Sequence, residues 1–166
     1  VLHEGVSIQQ RQAGQLARFP ALGLHWLLGA IRLAQEDAAG AREAFDRELR
    51  LADPHRLYGR EYAMHAHYGR GAAWLREGRA DEAVDAFASA LALYPDHAAS
   101  RLGMAQALRR RGEKGSADVE VARVEEALAT LTRSRPIEAA LVRSMLLADR
   151  DRLDEDAITS LLERHA

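Results

Sequence analysis

Three positions recur along this chain at fixed intervals. Gly71 is followed by Ala83 twelve residues later and by Phe87 sixteen later. Gly29, Ala41 and Phe45 stand at the same intervals, and so do Ala105, Ala117 and Val121. From Gly71 to Ala105 is 34 residues. A period of that size marks a supersecondary unit that cannot bury its apolar face alone and must stack on copies of itself. Small residues at the first two places let two helix backbones cross closely. The larger third residue fills the space beside the crossing.

The rest of the chain agrees with helical units. Alanine, leucine, arginine and glutamate dominate, and all four favour helix. The four prolines, Pro20, Pro54, Pro95 and Pro136, fall roughly forty residues apart, as punctuation between helical pairs would. Gly78 is placed to let the chain leave a helix in the left-handed conformation. Pro95 is placed to end the next helix, and Asp96 to cap the one after it.

In "GRGAAWLREGRADEAVDAFASALALYP" these signals come together as Gly71, Trp74, Gly78, Ala83, Phe87, Ala90 and Pro95. The pattern resembles the tetratricopeptide repeat, a helix–turn–helix unit of 34 residues. The resemblance implies an all-α fold of antiparallel helix pairs stacked in a right-handed superhelix. The unit at 54–97 carries it most fully. Its departures are His67, where the family has a large aromatic, and Arg70, where it has leucine. The unit at 22–51 has Arg32 and Glu36 in the places of Trp74 and Gly78. The unit at 98–131 is degenerate, with Val121 in place of phenylalanine.

The single helical-repeat domain spans 1–166 in this reading. Residues 1–20 form a half repeat, a lone second helix ending near Pro20, so the chain reads as a piece of a longer one. Residues 136–166 form a C-terminal helical pair or cap, with Asp154 opening its second helix. One interval is irregular, since Gly29 to Gly71 is eight residues longer than the period. The surplus falls in "ADPHRLYGREYAM". Asp53-Pro54 is a good cap and first helical position. The first helix of the central unit is therefore expected to start near Pro54.

Several functions are excluded. Lysine plus arginine number 23 against 25 acidic residues, without the basic excess of a nucleic-acid coat. Arg109 to Arg111 read as the cationic end of a helix. Cysteine is absent, which removes thiolate chemistry and cysteine-ligated zinc. No apolar run approaches the ~20 residues of a membrane span, and no signal peptide is visible. A single lysine against 22 arginines, with no asparagine, suggests a bacterial origin, and the cytoplasm is the expected compartment. No serine sits in a nucleophile elbow, no phosphate-binding GxxxxGK[ST] occurs, and no cofactor motif is present. His65 and His67 point apart on a helix, His65 to the open face and His67 to the packed one, so no metal site is expected.

The resemblance also implies a function. In the family the first helices line a concave face where peptides or partner segments bind. Here that face would hold Trp26, Ala30 and Leu33, then His65, Tyr68, Ala72 and Leu75, then Leu102, Gln106, Arg109 and Arg110. It would be aromatic and apolar at one end and basic at the other, with Arg109 and Arg110 free to meet an acidic partner. The clamp that co-chaperone members use for a C-terminal carboxylate is not expected, because Tyr68 and Ala72 replace its polar residues. The expected activity is a protein-interaction scaffold and not an enzyme. A self-association domain pairing through open stack ends, giving a homo-oligomer, is the alternative.

Overall fold

The structure, a computed structural model, describes residues 2–12, 22–53, 55, 57–134, 137 and 139–149. The expected helix end near Pro20, the residues Pro54 and Pro136 and the helix expected after Asp154 lie outside the described residues. The described elements are α1 (Leu2–Gln12), α2 (Leu24–Ala34), α3 (Ala38–Leu51), α4 (Gly59–Arg76), α5 (Ala80–Leu93), α6 (Ala98–Arg110) and α7 (Lys114–Ser134). A further helical stretch, α8, covers 139–149. No strand occurs among the described residues. The fold is an all-α helical repeat of the kind the spacing implies.

Helices α2 and α3, α4 and α5, and α6 and α7 form the pairs, and each pair turns in the same way. The Asp37 N–H donates to the Arg32 carbonyl at 2.9 Å, Arg79 to Trp74 at 3.0 Å and Glu113 to Leu108 at 2.9 Å. This is the Schellman closure, which requires a left-handed residue just before the donor. Gly78 and Gly112 supply it at φ 75° and 82°. In the first pair Glu36 takes that place at φ 65° despite its side chain. Asp37 then caps α3, its carboxylate accepting from the Gly40 N–H at 2.8 Å.

The repeating core is a ring wedged between glycines. A Cβ on Gly71 would stand 2.6 Å from the Phe87 ring, and one on Gly103 would stand 2.5 Å from it. Phe87 thus fills the seam between the first helix of its own pair and that of the next. Phe45 does the same between Gly29 and Gly69. In the third pair the wedge shrinks to Val121, and the small partner grows to Ala105. The two changes offset each other, which keeps the seam filled.

The stacking also sets the curvature. Among the described residues, α2 touches α4 and α4 touches α6, whereas the second helices α3, α5 and α7 do not touch one another. The first helices are therefore the crowded, inner side of the curve. Helix α1 packs its Val6 against Leu28 and Ala44, as the second helix of a preceding pair would. Helix α8 closes on the other end through Val142 and Leu146, which meet Leu102 and Val124.

Two expectations are corrected. The first helix of the central unit starts at Gly59 and not near Pro54. Asp53 uses its carboxylate to hold the His55 N–H at 2.9 Å, a turn rather than a helix start. The backbone folds back so tightly that the Asp53 carbonyl presses on Gly59, and Tyr58 is left-handed at φ 62°. Helix α4 is still the longest first helix. Its added turn carries Tyr62, which packs against the left-handed Gly23 that opens α2. Nor does Asp96 cap α6; that place belongs to His97.

Candidate functional site

Aromatic side chains on the first helices line up across the inner face. The Trp26 ring of α2 meets Tyr62 at 6.2 Å and His65 at 5.6 Å, both on α4. His65 meets His97, at the start of α6, edge to face at 5.7 Å. Tyr68, one turn beyond His65, meets the other side of the stripe through His97 at 5.7 Å and the core ring Phe87 at 5.9 Å. The stripe crosses three successive first helices without a gap. Trp26, His65, Tyr68 and His97 are all half-buried, so each packs on a neighbour while keeping part of its surface on the open side.

Burial sets the charge of this surface. His65 is held below the ordinary histidine range by desolvation, against the attraction of Glu61 one turn before it. His97 is pushed down to about 4, by desolvation first and by His65 second. Its Nδ1 pairs with the Ser100 Oγ at 2.8 Å. At neutral pH both rings are uncharged, and the stripe presents π-faces and ring edges rather than ions.

The expected site residues are not all available. Trp26 and Leu33 pack against the Ala41, Phe45 and Ala66 cluster while remaining half-exposed. Ala30 and Ala72 are half-buried beside them. Leu75 faces inward, 7 % exposed, in the core with Ala83, Phe87 and Ala107; Leu102 is 3 % exposed. The basic end expected at α6 is not free. Arg109 donates to both carboxylate oxygens of Asp149, and Gln106 reaches the same carboxylate at 3.3 Å. Arg110 donates to the Leu75 carbonyl at the end of α4. Adjacent first helices are tied together by the groups that were expected to meet a partner.

Three contributors were missed by sequence reasoning. Tyr62 and His97 join the stripe because α4 has an added turn and because α6 begins against the middle of α4. The signal available was the 34-residue offset, which lays the first turn of α6 beside His65 and Tyr68. Glu48 is buried on α3 and accepts from the N–H groups of Gly23 at 2.6 Å and Trp26 at 3.1 Å. It caps α2 from another helix and so fixes where Trp26 stands. No sequence rule points to a cap 25 residues away.

An open cavity of about 630 Å³ lies between the start of α6 and the later turns of α7, with Arg101 and Arg123 in its wall. Both arginines are engaged by Glu120, at 2.7 and 2.6 Å. Among the described residues no three histidine, aspartate or glutamate side chains are grouped to hold a metal. No described helix is long and apolar enough to cross a membrane.

The family model for the tetratricopeptide repeat matches residues 75–130, from the end of α4 into α7. No curated protein matches the chain. Such repeats generally mediate protein–protein interactions and generally form scaffolds without catalytic activity. The repeated turns and the ring-between-glycines seams agree with that match, which supports a tetratricopeptide repeat over the matched segment.

Proposed function

We propose that the chain docks a segment of a partner protein along the inner face of its first helices. The observation that supports this reading is the unbroken aromatic stripe from Trp26 through His65 and His97 to Tyr68. Partly exposed rings in a row give a large contact area at small entropic cost, and aromatic anchors dominate binding energy in most interfaces. Ala30 and Ala72 beside the rings leave room for a chain to lie close. The partner segment is apolar or uncharged where it crosses the stripe, because burial disfavours the charged forms of His65 and His97 there and Arg109 is already paired with Asp149.

A photo-crosslinking amino acid at Ala72 tests this with little disturbance of the core. It should capture the partner from the source cell, whereas the same group at Ala88, exposed on the second helix α5, should not. Equal capture from both positions, or capture from Ala88 alone, would move the site off the inner face. A second reading, self-association through an open stack end, is favoured by Ile137, Leu141 and Leu147, which are 88 %, 62 % and 53 % exposed. Light scattering over a concentration series separates the two, since only the second makes mass depend on the concentration of this chain alone.

A further inference from the structure

The contact between His65 and His97 does more than line a surface. The two rings belong to different helices, and their edge-to-face meeting at 5.7 Å is where the middle of α4 touches the start of α6. Each ring also borders a stripe residue, Trp26 for His65 and Tyr68 for His97. We propose that this pair makes the docking surface proton-sensitive: it holds an uncharged, apolar partner segment while both rings are neutral and releases it when they are protonated. The inference rests on the inner-face reading above.

The surroundings decide the order of events. From α2, the ring facing His65 is Trp26, which carries no charge. From α4, Glu61 lies one turn before His65 and attracts a proton to it, while Tyr62 and Tyr68 contribute their rings to the stripe. From α6, the neighbours are His97 and the Ser100 hydroxyl. The first proton therefore goes to His65. The second must go to His97 against that new charge. It must also go against the helix dipole, because His97 is the N-cap of α6 and a cation there opposes the partial positive charge of the helix start. Two like charges across one helix–helix contact favour parting α4 from the first turn of α6 and letting water in. The stripe then loses both its continuity and its apolar character.

The test needs no known partner. In the chain carrying Trp74→Phe, Trp26 is the sole tryptophan, and a protonated imidazole beside it quenches its emission. That emission should fall with acid as His65 titrates, and His65→Gln should abolish the change. By NMR, His65→Gln should raise the His97 midpoint from about 4 toward the ordinary histidine value. An unmoved His97 midpoint would overturn the coupling. As a probe of the surface, the neutral apolar dye N-phenyl-1-naphthylamine should bind about tenfold more weakly at about pH 3.5, below the His97 midpoint, than at pH 7, the change that one unit of pKa displacement produces. The chain with His65→Gln and His97→Gln should lose this pH dependence, binding the dye with equal, if weakened, affinity at the two pH values. Retained pH dependence would sink the switch alone. Dye binding unaffected by Tyr68→Ala would instead show that the dye avoids the inner face and would remove the reading on which the switch rests. Circular dichroism at the same acid pH should show full helicity; a parallel loss of helix would make the event unfolding rather than release.

Discussion

The Arg109 guanidinium holds both carboxylate oxygens of Asp149, at 3.1 and 2.9 Å. The Asp149 side chain is 3 % exposed and that of Arg109 16 %. An ion pair so enclosed contributes through geometry, and removing one partner leaves the other charge buried alone. Arg109→Ala should therefore destabilise the fold by about 2–3 kcal/mol, chiefly by freeing α8 from α6. Replacing both residues with apolar ones of similar size should restore most of that loss. Urea denaturation of the single and double variants measures it. Equal destabilisation by the single and double changes would mean that the loss comes from the missing pair itself and not from the Asp149 charge left buried alone.

The seam at Phe87 makes a sharper prediction. Phe87→Ala should destabilise by about 3–5 kcal/mol, the range for emptying a packed ring site. Gly71→Ala should also destabilise, by about 1–3 kcal/mol, because its methyl group would meet the ring. The third pair shows the compensated combination, Ala105 with Val121. Adding Phe87→Val to Gly71→Ala should therefore recover stability relative to the sum of the two single changes, with a coupling of about 1 kcal/mol. Strict additivity in thermal unfolding would show that the sizes of residues 71 and 87 do not compensate across the seam.

That seam was legible in the sequence because it depends on side-chain size at fixed intervals. Gly71, Ala83 and Phe87 must keep their spacing for two helices to cross, and a one-residue shift would turn the ring to another face. The left-handed turn at Gly78 was legible for the same reason. The start of α4 was not. Asp53-Pro54 satisfies every local rule for a helix start, yet Asp53 bonds to His55 and the chain turns again at Tyr58 before the helix begins. Local rules could not choose between those two uses of one carboxylate. The open face was legible only in part. Periodicity places Arg109 and Leu75 on the first helices, but what meets Arg109 is a residue forty positions away.

Four histidines should make the fold acid-sensitive. His25, His65, His67 and His97 are all held below the ordinary histidine range, each by desolvation first. Nδ1 of His25 and of His67 is buried and meets no protein hydrogen-bond partner, so these rings gain nothing from a proton in the folded state. The sign follows from linkage. A depressed pKa means that the unfolded chain binds protons more readily. The contribution is therefore fully present above about 6.5 and is lost as pH falls through the folded values. The melting temperature should hold steady from pH 8 to 7 and decline steadily from pH 6.5 toward 4. His67→Gln should flatten part of that decline. A melting temperature flat down to pH 4 would contradict the burial of these rings.

Glu48 gives the last test, because two effects on one carboxylate oppose each other. It is fully buried on α3 and accepts from the N–H groups at the start of α2. Gly23 opens that helix with no side chain of its own to cap it. Glu48→Ala would leave buried donors without an acceptor and should destabilise by about 2–4 kcal/mol. Glu48→Gln keeps a carbonyl oxygen in place and should lose much less. The pH dependence separates hydrogen bonding from burial. Desolvation raises the Glu48 pKa above its ordinary value, and the backbone donors only partly counter it. A raised folded pKa contributes stability that is present below the ordinary carboxylate value and is lost as pH rises through the folded one. The deficit of Glu48→Gln relative to the native chain should therefore shrink between pH 4.5 and 7.5, as the native carboxylate ionises in its buried site. Urea denaturation at the two pH values decides the matter. A deficit that grows with pH would show that the N–H groups of α2 outweigh burial and that Glu48 is held as a stable anion.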